Sequence, residues 1–248
     1  MVWLYSITSV IIVSLISLIG IITLFTTGKK LCHLVSFLVG LATGALFGGA
    51  FLHMIPEVFK EISNETIASI SILLGIAIFF ILEKFLHWHH EHHHHNKEDH
   101  IKPFGYLNLI SDGLHNLIDG IIIAAAYMIN IEVGIATTVA VVLHEIPQEI
   151  GDFGLLIHAG FSKSKALLLN LLSASLSLVG VIIVLIIGNS IIDSTAYILA
   201  IAAGGFIYIA GSDLVPELHK TNDFKSSIKQ FLSIGLGIAI MFLLIIFE

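Results

Sequence analysis

Long apolar runs, each broken by a few polar residues, organise this chain. Taking the breaks as span ends predicts eight helices at roughly 3–27, 33–58, 66–87, 104–129, 133–158, 164–187, 192–218 and 227–247, each near the ~20 residues that cross a hydrocarbon core. The longest segment outside the spans is 88–103. Composition sharpens the picture. Of 248 residues, 56% are hydrophobic and 12% charged, and the mean hydropathy is +0.99. A soluble domain carries about a quarter charged residues, so such a chain cannot cover a water-facing surface. The expected fold is an all-α polytopic membrane protein, one transmembrane domain over 1–248 with no room for a soluble one. A single cysteine, Cys32, excludes a disulfide framework within the chain. The apolar N-terminal run lacks a basic region and a cleavage site, and reads as a retained helix rather than a secretory signal.

The eleven basic residues are all lysines. Lys29 and Lys30 fall between spans one and two, and Lys84, Lys97 and Lys102 around the gap between three and four. Lys163 and Lys165 lie between five and six, and Lys220, Lys225 and Lys229 between seven and eight. Lys60 alone falls on the opposite side. By the positive-inside rule this places both termini outside the cytosol and loop 88–103 within it. The plasma membrane is the expected location.

The chain also repeats. Leu41–Lys60 aligns without gaps to Ile201–Lys220, an offset of 160 that matches Ala42/Ala202, Gly44/Gly204, Ala50/Ala210, Pro56/Pro216, Glu57/Glu217 and Lys60/Lys220. Ser71–Leu82 aligns to Ser233–Leu244 at an offset of 162, with nine identities in twelve. Spans one to three therefore correspond to spans six to eight. Five spans separate corresponding members, so the two units point opposite ways. The expected plan is 3+2+3 with an inverted repeat, common in secondary transporters whose substrate site lies near the midplane.

Spans four and five lie between the repeats and carry the chemistry. One holds His115-Asn116-Leu117-Ile118-Asp119-Gly120. The other holds His144-Glu145-Ile146-Pro147-Gln148-Glu149-Ile150-Gly151-Asp152. Charged groups at that depth cost roughly 2.5–3.5 kcal/mol each on insertion scales, and no lysine is near in sequence to neutralise them. On a helix, residues four apart share a face. His115 thus lies with Asp119, His144 with Gln148, and Glu145 with Glu149, with Asp152 further along. Packed together, the two helices offer nitrogen, carboxylate and amide ligands to a divalent cation. Zinc accepts imidazole and carboxylate, and the oxygens also suit iron(II) or manganese. Pro147 removes the helix partner of the Leu143 carbonyl and predicts a kink beside His144. Gly113, Gly120, Gly151 and Gly154 are expected to let neighbouring helices approach.

The pair HNLIDG and HEIPQEIGD, with eight spans and a histidine-rich loop after the third, resembles the ZIP (Zrt/Irt-like) metal transporters. It is similar above all to their LIV-1 group, whose fifth span carries HExPHExGD. The resemblance covers essentially the whole chain. It implies a binuclear site and metal movement from outside, or from an organelle lumen, into the cytosol. One position would use His115, Asp119, His144 and Gln148. The second would use Asn116, Asp119, Glu145 and Gln148, with Glu149 close by. Gln148 replaces the group's histidine and bears on metal preference. Zinc is the favoured substrate, with iron(II), manganese and cadmium as alternatives, and no metal is expected as a resident cofactor.

Further pathway candidates are Asp112 and Asp152, Asn170 and Ser173 in span six, His53 and Glu57 near the outer end of span two, and Asp213, Glu217 and His219 near the inner end of span seven. In the loop, His87, His89, His90, His92, His93, His94, His95 and His100 form a tract that binds metal weakly or serves as a solvated linker. Three other functions compete with uptake. An intramembrane zinc protease would use a helix similar to HExxH, but Gln148 stands where that motif has its second histidine. An efflux carrier would usually add a soluble C-terminal domain. A sensor or scaffold would bind without conducting. Expected partners are the metal ion and the bilayer, with a homodimer left open and no nucleic acid.

Overall fold

The residues that end the apolar runs also cap the helices. Asn64 Oδ1 accepts the amides of Thr66 and Ile67 at 3.0 and 3.1 Å, and Asp223 Oδ1 accepts those of Lys225 and Ser226, both at 3.0 Å. Asn130, in extended backbone, accepts the amide of Val133 at 2.7 Å. Each satisfies donors that a helix start leaves open. Gly160 ends its helix with φ 103°, a backbone conformation that favours glycine.

The computed structural model describes residues 1–24, 29–91, 103–191, 194–220 and 223–246, and among these every regular element is helical. Helix α1 (Val2–Ile16) tightens into a 3₁₀ segment (Ser17–Leu24). Helix α2 (Lys29–Gly48) passes through a π-helical turn (Gly49–Met54) into α3 (Ile55–Glu61), and α4 (Glu65–Glu91) follows. The central pair is α5 (Pro103–Ile129) and α6 (Ile131–His158). Next come α7 (Lys163–Ala174) and α8 (Leu176–Ile191), which meet at Ser175. Helix α9 (Thr195–Ile209) passes through a second π-helical turn (Ala210–Leu214) into α10 (Val215–Leu218), and α11 (Phe224–Ile246) closes the series.

Seven helical stretches among the described residues are long and apolar enough to cross a membrane. The expected span 133–158 is α6. It has ample length at 28 residues, but His144, Glu145, Gln148, Glu149 and Asp152 dilute its apolarity. It packs against α1, α2 and α5, so protein rather than lipid surrounds much of its polar load, as buried ionisable groups in membranes require. The chain is an all-α polytopic membrane protein. Helix α6 runs unbroken through Pro147.

The repeat is visible in the packing. Helix α2 lies along α11, and α4 along α9. A Cβ added at Gly44 would collide with the Ile234 carbonyl of α11, and one added at Gly204 with the Ile72 carbonyl of α4. Gly44 and Gly204 are repeat partners, and so are Ile72 and Ile234. The partner glycines return the relation: Gly237 abuts the Leu41 carbonyl, and Gly75 the Ile201 carbonyl. The π-helical turns also correspond. Ile55 donates its amide to Ala50 and Val215 to Ala210, bonds five residues long at the same offset of 160. Each turn precedes a proline, Pro56 or Pro216, whose missing N–H interrupts the ordinary four-residue ladder.

Candidate metal site

Helices α5 and α6 form a hairpin that turns at Asn130, and their facing sides bring together four side chains of types that can ligate a metal. Suitable atoms of His115, Asp119, His144 and Glu145 all lie within 4.8 Å of one another. The side chain of His115 is 21% exposed, and none of the other three exceeds 1%. His144 Nε2 lies 3.3 Å from Asp119 Oδ2 and 3.4 Å from Glu145 Oε1. His115 Nε2 lies 3.4 Å from Glu145 Oε1, 3.8 Å from Asp119 Oδ2 and 3.2 Å from His144 Nε2.

The cluster holds more hydrogen-bond acceptors than donors. His144 Nδ1 is 3.1 Å from the Ala140 carbonyl. A carbonyl only accepts, so Nδ1 carries a hydrogen, and whenever the ring is neutral Nε2 presents a lone pair to the cluster. Asp119 Oδ2 and both Glu145 carboxylate oxygens are buried without a hydrogen-bond partner. His115, if neutral, has at most one hydrogen to offer these acceptors. Unpaired buried acceptors are costly, and a cation at their centre would satisfy them all. The lysine ion pairs among the described residues, Lys60–Glu57 and Lys220–Glu217, join neighbours on single helices at the ends of spans.

A second polar layer continues toward the Asp152 end of α6. Asp112 accepts the Asn116 amide at 2.9 Å and the Ser173 hydroxyl. Glu149 accepts the Asn170 amide through one oxygen, while its other oxygen, Asn116 Oδ1 and Asn170 Oδ1 have no hydrogen-bond partner. Asp152 accepts the Asn108 amide at 3.0 Å. Asn170 and Ser173 therefore do reach the acids of α5 and α6, from α7. Gln148 is half-buried on α6, one turn beyond His144.

Other candidates are engaged elsewhere. His53 Nε2 donates to the Met241 carbonyl at 2.8 Å. Glu57 accepts Lys60 at 2.9 Å and the Asn130 amide at 2.8 Å. Glu217 accepts Lys220, and both Glu217 and His219 are exposed. His87, His89 and His90 stand on the last turns of α4, which runs to Glu91 and so shortens the loop expected from 88; their side chains and that of Asp213 are not described, and His92, His93, His94, His95 and His100 lie outside the described residues. Gly113 and Gly120 do abut α8, but Gly151 and Gly154 have no atom within 4 Å of an added Cβ. That corrects the expectation of helix contact there, because this side of α6 has no packed neighbour among the described residues.

Sequence reading passed over Asn108 and Asn130. Asn108 stands one turn before Asp112, and that i, i+4 spacing was its signal. Asn130 is a capping residue type directly before an apolar helix.

A polytopic helical bundle that buries a donor-poor set of nitrogen and carboxylate ligands has the architecture of a divalent-metal transporter. The profile of the ZIP zinc transporter family matches residues 1–104 and 88–245. The chain is 41% identical to the zinc transporter zipt-7.2 of Caenorhabditis elegans, over 61% of this chain and 34% of that protein. It is 32% identical to the zinc transporter YKE4 of Saccharomyces cerevisiae over 84% of this chain and 70% of the relative. It is 28% identical to the ZIP13 homolog of Drosophila melanogaster, over 96% and 88%. The chain belongs to the ZIP zinc transporter family. That family is one of transporters, not enzymes, so the protease alternative falls away.

Proposed function

We propose that this chain carries divalent metal, zinc first, into the cytosol through a site between α5 and α6. The observation that carries the reading is the mutual approach of His115, Asp119, His144 and Glu145, with Asp119 Oδ2 and both Glu145 oxygens unpaired. In this reading these four hold the first ion. Asn116, Gln148 and Glu149 extend the site to a second, with Asn170 steering Glu149. Asp112 and Asp152, held by Ser173 and Asn108, conduct the ion onward. His53, Glu57, Asp213, Glu217 and His219 belong to the mouths of the pathway rather than its centre. The lysine distribution supports a cytosolic loop 88–103 that would receive the metal, and the inward direction follows the family resemblance. Iron(II), manganese and cadmium are competing substrates, and the plasma membrane is the proposed residence. No thiolate is present in the set, which suits an ion that must also leave.

The test is radiotracer zinc flux in proteoliposomes of known orientation, with iron(II), manganese and cadmium as competitors. Saturable flux toward the lysine-rich face is expected. Flux only in the reverse direction would make the chain an efflux carrier, and binding without flux would make it a sensor. Gln148→His exchanges an amide oxygen for an imidazole nitrogen. It is expected to shift preference toward zinc over manganese by several-fold, on the order of the 1.4 kcal/mol that corresponds to tenfold. An unchanged order among the competing metals would remove Gln148 from the site.

A further inference from the structure

His144 is held from two sides. Its Nδ1 is tied to the Ala140 carbonyl. Its ring also meets Phe206 edge-on, with centroids 6.0 Å apart and planes at 66°. Phe206 is fully buried and sits on α9, outside the hairpin that supplies the ligands. Gly49 lies behind the same spot: a Cβ added there would stand 3.1 Å from the Ala140 Cβ and 3.7 Å from Phe206 Cδ2. The repeat supplies a comparison. At the offset of 160, position 206 corresponds to 206 − 160 = 46, and Leu46 is also fully buried. An aliphatic side chain thus suffices for packing in one unit, while the other carries a ring that reaches an imidazole.

We infer that Phe206 is a positioning residue that sets metal preference, by holding the His144 ring with Nε2 aimed at Asp119 and Glu145. The inference rests on His144 being a metal ligand. Zinc gains from a fixed imidazole nitrogen, whereas manganese is served by carboxylate and amide oxygens. Releasing the ring leaves the carboxylates in place, so the loss falls on zinc.

The test compares Phe206→Leu, which copies Leu46, with the unaltered chain in zinc and manganese uptake. The apparent KM for zinc is expected to rise about three- to tenfold, the worth of an aromatic contact. The KM for manganese is expected to hold within about twofold by the same reasoning. Phe206→Met repeats the loss of the ring with a flexible side chain, in case leucine disturbs folding, and Phe206→Tyr keeps the ring and should keep the zinc-to-manganese ratio. An equal fall for both metals, or no change in either, would reduce Phe206 to packing and overturn the inference. Normal uptake by His144→Ala would instead overturn the site reading beneath it, so the two failures are distinguishable.

Discussion

Asp119→Ala is expected to abolish metal uptake while the protein still reaches the membrane. His144→Ala should do the same. Asp119 is one of two acids that both histidines approach, here at 3.8 and 3.3 Å, and its Oδ2 has no hydrogen-bond partner. If its role were to hold helices together, its loss would lower stability. A transport role predicts the opposite pattern. An acid stranded in the membrane costs roughly 2.5–3.5 kcal/mol on insertion scales. Removing it should therefore leave the metal-free protein at least as heat-stable as before. What disappears is the stabilisation conferred by zinc, since a ligand that binds only the folded state raises its stability by mass action. The measurement is a pair of melting curves, with and without zinc, beside the uptake assay. Unimpaired uptake in both Asp119→Ala and His144→Ala would exclude the cluster as the route. Destabilisation of the metal-free protein would return Asp119 to a structural role.

The contrast between what was legible in sequence and what was not has a physical basis. The helical runs, the repeat and the shared-face polar pairs were legible because periodicity and self-similarity are written along the chain. His115 with Asp119 is a four-residue separation, and the meeting of the four side chains needs only that α5 and α6 face each other. Asn108 with Asp152 was missed because that bond depends on the register between the two helices, which no single-helix period reveals. Phe206 was invisible for a different reason. A phenylalanine in an apolar span carries no chemical signal, and its importance comes from the imidazole it touches on another helix. Gly151 and Gly154 were misjudged in the other direction. Small residues permit close approach, but they do not supply the neighbour.

The second large effect concerns those glycines that do have neighbours. Gly204→Val and Gly44→Val are each expected to prevent accumulation of folded protein, and to similar degrees. At both positions the obstacle to a side chain is a backbone carbonyl of the opposing helix, Ile72 or Ile234. No rotamer change relieves such a clash, so the helices must separate. Overpacking of this kind costs about 1–3 kcal/mol where side chains can yield, and more where they cannot. Proteins are stable by only about 5–15 kcal/mol. The control is Gly151→Val, on the same scaffold but with no described atom within 4 Å of the added Cβ, which should express normally. Size-exclusion profiles of the three variants provide the check. If the two units are related as their crossings imply, damage at 44 and at 204 must be comparable, because each glycine admits the corresponding carbonyl of the other unit's partner helix. A harmless change at one beside a severe change at the other would mean that the resemblance of the units ends at sequence.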